Sequence, residues 1–158
     1  MKLSRLVLAL LLFSLAFAAC KRETDGMRDG YYTAEASGYD ADGWKDFLTI
    51  YVSGGSIITV EYNARNKSGF VRSWDVDYQR AVKARTGEAS GSYARAFAMD
   101  LRNRMDPSRV DSLPGGEKYH TAFTRLAEAV MARSRNGDKM VAIVDLPGHG
   151  TESTPSSP

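Results

Sequence analysis

The amino-acid sequence predicts an α+β domain in which a β-hairpin and an antiparallel sheet pack with about three helices. Residues 47–52 alternate in character, a turn signal occupies 53–56, and a second β-branched run follows at 57–62. Later segments repeat apolar residues at helical spacing, and a short apolar run at 140–144 comes after them. Strands first, helices next and a returning strand favour α+β over a regular βαβ repeat.

The strand elements come first along the chain. Aromatic and β-branched residues follow Gly30 and indicate a first strand at 31–33. Between Phe47 and Val52, one face carries Leu48, Ile50 and Val52 and the other carries Phe47, Thr49 and Tyr51. Period-two alternation on both sides of a Ser-Gly-Gly-Ser turn predicts a β-hairpin.

Two helices follow the hairpin. Trp74, Tyr78 and either Ala81 or Val82 fall at i, i+4 and i+7 or i+8, which predicts a helix with a buried face. A second helix has Ser90 or Ser92 as its expected N-cap. Its apolar residues recur every four positions: Tyr93, Phe97, Leu101 and Met105.

A third helix and a last strand complete the predicted domain. Phe123, Leu126 and Val130 share one face of the helix, and Asn136-Gly137 predicts its end. We expect Thr121 to cap its start. The run at 140–144 predicts a short buried strand that stops before Pro147.

Composition narrows the function classes. The chain has 158 residues and 43% hydrophobic residues, which indicates one domain of the soluble globular type. Its formal net charge of +2 is too small to indicate a nucleic-acid-binding surface. One cysteine excludes an internal disulfide framework and a Cys-rich zinc site. Two histidines, His120 and His149, argue against a multi-histidine metal site.

The amino terminus has the pattern of an export signal. Lys2 and Arg5 precede an apolar run at 6–17, which is shorter than the ~20 residues that span a bilayer. Two alanines and then Cys20 follow, and this segment resembles a bacterial lipoprotein signal, apart from Phe17 at the first position of its lipobox. The resemblance implies cleavage before Cys20 and fatty acylation, palmitate included, on that cysteine. An ordinary secretory signal with an incidental cysteine is the alternative.

The resemblance to a lipoprotein signal divides the chain into four segments. They are a signal peptide at 1–19, a lipidated tether at 20–28, a domain at 29–146 and a disordered tail at 147–158. Lys21 after the lipidated cysteine implies outer-membrane sorting if the host has two membranes. Without Lys2 and Arg5, 19 basic residues balance 19 acidic ones, so the mild basicity belongs to the signal.

Catalytic motifs are missing from the sequence. It contains no nucleophile elbow, no Gly-rich dinucleotide fingerprint and no phosphate loop, and its carboxylates are scattered. A glycine-containing loop at 110–121 runs into the third helix, where backbone amides can hold a phosphate, or where the chain simply turns. Four aromatic residues are candidates either for stacking on a flat ligand or for core packing: Tyr39, Trp44, Trp74 and Tyr78.

Three stretches, taken in order, resemble a known family. They are a tyrosine-rich strand at 29–34, a Gly-Trp segment at 43–47 and a Ser-Trp-Asp-x-x-Tyr segment within 69–78. Together they resemble the FMN-binding domain of membrane-anchored bacterial lipoproteins, in the major membrane immunogen subgroup, over residues 29–145. The resemblance implies a flavin cofactor and electron transfer outside the cytoplasm.

The attachment loop departs from that family's Val-Asp-x-x-Ser-Gly-Ala-Thr pattern. Asp111 and Gly115 match, but Pro114, Gly116 and Glu117 replace the serine, the alanine and the flavin-accepting threonine. Glutamate cannot accept the phosphoester, so we expect FMN to be held without a covalent bond, if it is held at all. Glu117 would repel an FMN phosphate, an effect that Lys118 would partly offset. The implied cofactor-binding residues are Trp44, Trp74, Tyr78, Asp111, Pro114, Gly115, Gly116 and Lys118.

Three hypotheses remain open from the sequence. The first is a lipoprotein that carries non-covalent flavin, or a similar flat cofactor, and is linked to electron transfer, with a membrane redox complex as partner. The second is a degenerate, flavin-free surface lipoprotein with a binding, structural or immunogenic role. The third, a true enzyme such as a reductase, ranks last because no motif indicates a substrate site.

Overall fold

A computed structural model describes residues 26–150 of the chain. The predicted signal peptide and Cys20 lie outside the described residues, as do positions 151–158 of the predicted tail. Among the described residues, no helix combines the length and the apolar character needed to cross a membrane.

The described residues form a four-stranded mixed sheet and three α-helices, which confirms the predicted α+β class. The strands are β1 (Gly30–Ala36), β2 (Lys45–Ser53), β3 (Ser56–Arg65) and β4 (Ala142–Val144), and the helices are α1 (Val76–Thr86), α2 (Ser90–Arg104) and α3 (Glu117–Asn136). The strand order is β3-β2-β1-β4, with β4 parallel to β1 and the other pairs antiparallel.

The hairpin forms as predicted. Ser53 pairs with Ser56, and the two glycines between them have φ values of 59° and 75°, as this tight turn requires. Leu48, Ile50 and Val52 are fully buried beneath the helices. One face of the sheet is therefore covered, and the opposite face is open.

Helix α3 covers much of the buried face of the sheet. Phe123, Leu126 and Val130 are fully buried, and the Phe123 ring packs edge-on against Tyr62 of β3 at 5.2 Å. Gly137, with φ of 66°, ends the helix in the predicted place. Thr121 lies inside the helix and donates its hydroxyl to the Glu117 carbonyl, so its predicted capping role is wrong.

The first two helices begin differently from the prediction. Trp74 lies in a 3₁₀ turn and is 67% exposed, so it does not share a buried helical face with Tyr78. Asp75 caps α1 by accepting the Tyr78 amide at 2.9 Å. The N-cap position of α2 is Ala89, and the side chain of Gln79 accepts the Gly91 amide at 2.9 Å instead of a serine cap. The expected serine cap of α2 is therefore also wrong.

The boundary predicted at residue 147 is corrected by the structure. The Gly150 amide bonds to the Tyr39 carbonyl at 2.9 Å, and His149 forms a β-bridge with Asp40. The side chain of His149 is only 2% exposed. Positions 147–150 therefore belong to the folded domain.

The domain has two distinct ends. We call the end where residue 26 leads into the fold the tether end; it contains the start of β1, the turn at 53–56 and the C-terminus of α3, whose Ser134 carbonyl accepts the Arg28 amide at 2.9 Å. The opposite end, here the far end, contains the end of β1 and the start of α3. Helix α3 has 20 residues, so its length of about 30 Å separates the two ends.

Candidate functional site

The far end of the domain holds a turn organised by one carboxylate. Asp40 accepts the amides of Asp42 at 3.0 Å and Trp44 at 2.8 Å, and its own amide donates to the Trp44 carbonyl. A carboxylate that bonds to amides further along the chain is how aspartate fixes a tight turn. This turn leads directly into β2 and holds the buried Trp44 ring in place.

Lysine 118 joins this turn to the start of α3. Its Nζ lies 2.8 Å from an oxygen of Asp40 and 3.4 Å from one of Asp42. Burial alone would lower the pKa of Lys118, but the bond to Asp40 and the nearby carboxylates outweigh it and raise that pKa. The Lys118 charge is therefore already neutralised by the protein itself.

Beneath the turn lies a buried ionic group. Asp46 contacts Arg72 at 3.0 Å with one oxygen and His149 at 3.0 Å with the other, and all three side chains are at most 3% exposed. The Arg72 guanidinium lies between the rings of Tyr62 and Tyr119, at 5.8 and 5.2 Å from their centroids. Cation–π contact of this kind compensates part of the cost of burying the charge.

The ionic group shifts the pKa values of its members. Burial would raise the pKa of Asp46, but the Arg72 guanidinium and the His149 imidazole outweigh it and lower that pKa. The hydrogen bond to Asp46 raises the pKa of His149 against the opposing effect of burial. Both shifts favour the charged pair.

Three tyrosines connect the turn at Asp40 and Lys118 with the buried ionic group. Tyr78 donates its hydroxyl to Asp42 at 3.2 Å and lies 3.3 Å from the Tyr119 hydroxyl. The Tyr62 hydroxyl donates to the Tyr119 carbonyl at 3.3 Å. Burial, followed by the contact with Tyr119, raises the pKa of Tyr78. Burial also raises the pKa of Tyr62, so the Tyr62 and Tyr78 phenols act as uncharged hydrogen-bonding groups at neutral pH.

A cavity of about 200 Å³ opens beside these residues. It is lined by Asp46, Tyr62, Lys118, Tyr119 and His149, together with Thr121, Ala122 and Pro147. A second, more open groove of about 310 Å³ lies between β3 and α2. The smaller cavity contains the predicted cofactor-binding residue Lys118, and a third groove of about 240 Å³ beside α2 contains another, Asp111.

Asp40, Asp46 and His149 also place three potential metal-ligating atoms within 4.8 Å of one another. Each of the carboxylates already contacts a cationic side chain, Lys118 or Arg72. A divalent ion would have to displace those cations. The arrangement is therefore best described as an ion-pair network.

The predicted phosphate loop is closed by its own side chains. The Gly115 amide donates to Glu117 Oε1 at 3.1 Å, and the Gly116 amide donates to the Leu113 carbonyl. Tyr93 donates its hydroxyl to the Pro114 carbonyl at 3.0 Å. A Cβ atom added to Gly116 would lie 2.7 Å from the Tyr93 ring, so alanine, the residue of the flavin-attachment pattern, does not fit there.

Most of the predicted cofactor-binding residues meet at the far end. Trp44 packs edge-on against Tyr78 with ring centroids 5.4 Å apart, and the two acidic residues of the turn bring Lys118 beside them. Pro114, Gly115 and Gly116 lie next to Tyr93, whose ring stacks on Tyr119 at 5.7 Å.

Two predicted residues lie outside this cluster. Trp74 packs against Phe70 on an exposed surface, because its 3₁₀ turn precedes the helix that carries Tyr78. Asp111 pairs with Arg104 at 2.8 Å, which draws its carboxylate toward α2. The predicted lipidation site, Cys20, is outside the described residues.

Sequence reasoning missed the residues at the centre of the site. Asp46 and His149 are 103 positions apart, and Arg72 comes from a third segment. No short motif contains these three residues. The one available signal is Asp46 itself, because the residues that follow it in β2 are all uncharged, which indicates a buried carboxylate that needs a partner.

Comparison with known proteins identifies the family. No protein-family model matches the chain. It is 32% identical over 138 residues to the 15 kDa lipoprotein of Treponema pallidum (strain Nichols), an alignment that covers 87% of this chain and 93% of that protein. The chain belongs to the family of this treponemal lipoprotein.

A solved structure supports the fold of this family member. The crystal structure of the CPE2226 protein from Clostridium perfringens superposes with a TM-score of 0.72 and 28% identity. It covers 76% of this chain and 98% of the clostridial chain. The predicted relation to bacterial lipoproteins is confirmed by the treponemal relative, whereas flavin binding stays a prediction.

Proposed function

We propose that the protein is a lipid-anchored envelope lipoprotein whose domain serves as a binding or structural module and holds no flavin at the loop before α3. The observation that carries this proposal is the contact between Glu117 Oε1 and the Gly115 amide at 3.1 Å. An amide in a glycine loop at a helix N-terminus is the group that would bind a phosphate. In this chain the protein's own carboxylate takes that place.

Three further features of the site support the proposal. The acceptor position is Glu117, which has no hydroxyl to form a phosphoester. Tyr93 packs on Gly116 and leaves no room for the alanine of the flavin-attachment pattern. Lys118 is neutralised by Asp40 and Asp42. Restoring the flavin loop would therefore require changes at several packed positions.

The flavin part of the proposal is tested on the purified, lipidated protein. We expect no yellow chromophore to remain bound after acid denaturation and no change in FMN fluorescence at tens of micromolar FMN. Glu117→Ala frees the loop amide and is expected to bind FMN or inorganic phosphate more tightly than the unchanged protein does. FMN binding of equal strength in both proteins would contradict the role given to Glu117.

The anchor is tested separately in cells. The treponemal relative is a lipoprotein, and Cys20 is the residue of this chain that fits a lipid attachment site. Cys20→Ala is expected to leave the protein soluble or uncleaved. Unchanged membrane fractionation of that variant would exclude a lipid anchor at this position.

A second candidate function is non-covalent binding of FMN or another flat cofactor, linked to electron transfer with a membrane redox complex. The cavity lined by Tyr62, Tyr119, Lys118 and His149 favours it, because aromatic rings and a cation suit a planar anionic ligand. Its volume of about 200 Å³ is below the ~300–1,000 Å³ typical of ligand pockets, so it would hold only part of FMN. We therefore rank this candidate second.

Filling the cavity distinguishes the two candidates. Thr121 lines it, and Thr121→Trp would occupy much of its volume. FMN binding that is lost in this variant, and kept in Thr59→Trp on an exposed position of β3, would establish the second candidate. If neither the unchanged protein nor the two variants bind FMN, the first candidate function is supported.

A further inference from the structure

Exposed apolar side chains lie along the β4 edge of the sheet, from the start of β1 at the tether end to Ile143 beside Glu35, near the other end of β1. Met140 is 71% exposed, Tyr31 66% and Ile143 61%, and Val141 is also exposed. The Tyr31 ring stacks on Tyr51 at 4.6 Å, which extends the patch onto the open face of the sheet. Large apolar groups exposed together indicate a surface that meets another phase or a partner.

The strand register makes this patch continuous. Glu35 of β1 pairs with Ile143 of β4, and the same register carried toward the tether end sets Val141 beside Thr33. Because side chains alternate along a strand, Tyr31, Thr33 and Glu35 lie on one face, and Val141 and Ile143 lie on that same face. The patch therefore follows the β4 edge toward the start of β1.

Basic residues border the apolar patch. Lys139 lies over the start of β1, because a Cβ atom added to Gly30 would be 3.2 Å from the Lys139 side chain. The Arg28 side chain packs against Gly137 in the same manner. Arg135 is exposed in the last turn of α3. Asp138 is paired with Arg133, so it does not neutralise these three cations. An apolar patch with a basic border is the composition of a surface that binds anionic membranes.

The position of the chain's start decides which partner this surface meets. Residue 26 is six positions after Cys20, so the intervening chain reaches at most ~21 Å. The Arg28 amide is bonded to the C-terminus of α3, which fixes the start of the domain at the tether end. A lipid on Cys20 therefore keeps the tether end close to the bilayer.

We infer that the tether end lies on the membrane and contacts anionic phospholipid headgroups through a lipid-facing surface formed by Arg28, Tyr31, Arg135 and the segment 139–141. This inference rests on the proposed lipid anchor. A second exposed apolar group, Phe70, Trp74 and Val76, lies toward the far end and is directed away from the bilayer in this orientation. The cavity and the loop before α3 then face away from the lipid.

Site-specific labelling tests the orientation on the full-length lipidated protein. Cys20 is the only cysteine, and its acylated sulfur does not react, so an introduced cysteine is the single thiol available to a fluorophore. The probe is placed at Met140→Cys and, as a matched control, at Val76→Cys, which is 57% exposed toward the far end. The proteins are reconstituted in vesicles of phosphatidylcholine and phosphatidylglycerol that contain a nitroxide-labelled lipid.

We expect quenching at position 140 to be several-fold stronger than at position 76. Replacing Arg135 and Lys139 together by glutamate, or omitting phosphatidylglycerol, is expected to reduce quenching at 140 while the protein still floats with the vesicles. The paired control, Arg80→Glu with Lys83→Glu on α1, should have no effect. Equal quenching at the two positions overturns the lipid-facing surface, whereas unlabelled wild-type protein that fails to float overturns the proposed anchor as well.

Discussion

The two ends of the domain use their charged residues in opposite ways. At the far end, Asp46, Arg72 and His149 turn inward, and their charges are satisfied within the protein. At the tether end, Tyr31 and Met140 turn outward, and the cations beside them lie at the surface. The difference shows that the far end maintains the fold, whereas the tether end is available for contacts outside it.

The largest expected effect comes from breaking the buried ion pair. Asp46→Asn leaves the Arg72 guanidinium buried without its anion, and should lower the free energy of unfolding by about 3–5 kcal/mol. Urea denaturation at neutral pH measures the change. The exposed pair provides the control, since Asp77→Asn beside Arg80 should change stability by at most about 1 kcal/mol. Similar losses in the two variants would show that burial does not determine how much the Asp46–Arg72 pair contributes to stability.

The next effect depends on pH. A raised pKa of His149 adds stability that is complete below the unfolded-state value of about 6.5 and is lost as the pH rises through the folded-state value. A lowered pKa of Asp46 adds stability that is present above about 3.9 and is lost as the pH falls through its folded-state value. The pair is therefore most stabilising between these limits.

His149→Gln tests this pH window. We expect a loss of about 1.5–3 kcal/mol in mildly acidic solution and a smaller loss in alkaline solution, measured by urea denaturation across the pH range. In an Asp46→Asn background, substitution at 149 should lose this pH dependence. A pH-dependent effect that persists without Asp46 would assign it to another group.

A smaller loss is expected at the closed loop of the far end. Gly116→Ala places a methyl group 2.7 Å from the Tyr93 ring and should cost about 1–3 kcal/mol, because the ring or the loop must move. Gly26→Ala is the matched control at the tether end, where no atom lies within 4 Å of the added carbon. Equal melting temperatures for the two variants would mean that the loop adjusts to the added methyl group without a loss of stability.

The smallest effect is expected on the lipid-facing surface. Met140→Ser removes a side chain that is 71% exposed, so the free energy of unfolding should change by no more than about 0.5 kcal/mol. The same variant should weaken membrane contact in the vesicle experiment. A large loss of stability would show that Met140 supports the fold and would remove the contrast between the two ends.

Local patterns account for what the sequence predicted well. The hairpin is made by neighbouring residues and a Gly-Gly turn, and α3 has a regular apolar face closed by Gly137. The helix at Trp74 was placed too early because its i, i+4 spacing ignored Asp75, a far better N-cap. Spacing alone does not locate a helix start.

Non-local contacts explain what the sequence could not give. The Asp46–His149 contact spans 103 positions, and β4 pairs with a strand from the other end of the domain. His149 sits in a Pro-, Gly- and Ser-rich stretch with no apolar periodicity, which is why the tail was predicted to start too early. The loop before α3 stays a predicted site, and its closure by Tyr93 depends on packing that no spacing rule contains.

The pairing of β4 with β1 has a consequence for the way the protein is made. The sheet is completed by residues 142–144, and its far end is closed by His149, more than 100 positions after β1 ends. In a chain exported from its amino terminus, the first strand reaches the outside long before its parallel neighbour does. In a chain exported in this way, the full sheet and the buried ion pair would form only after residues 142–149 have crossed the membrane.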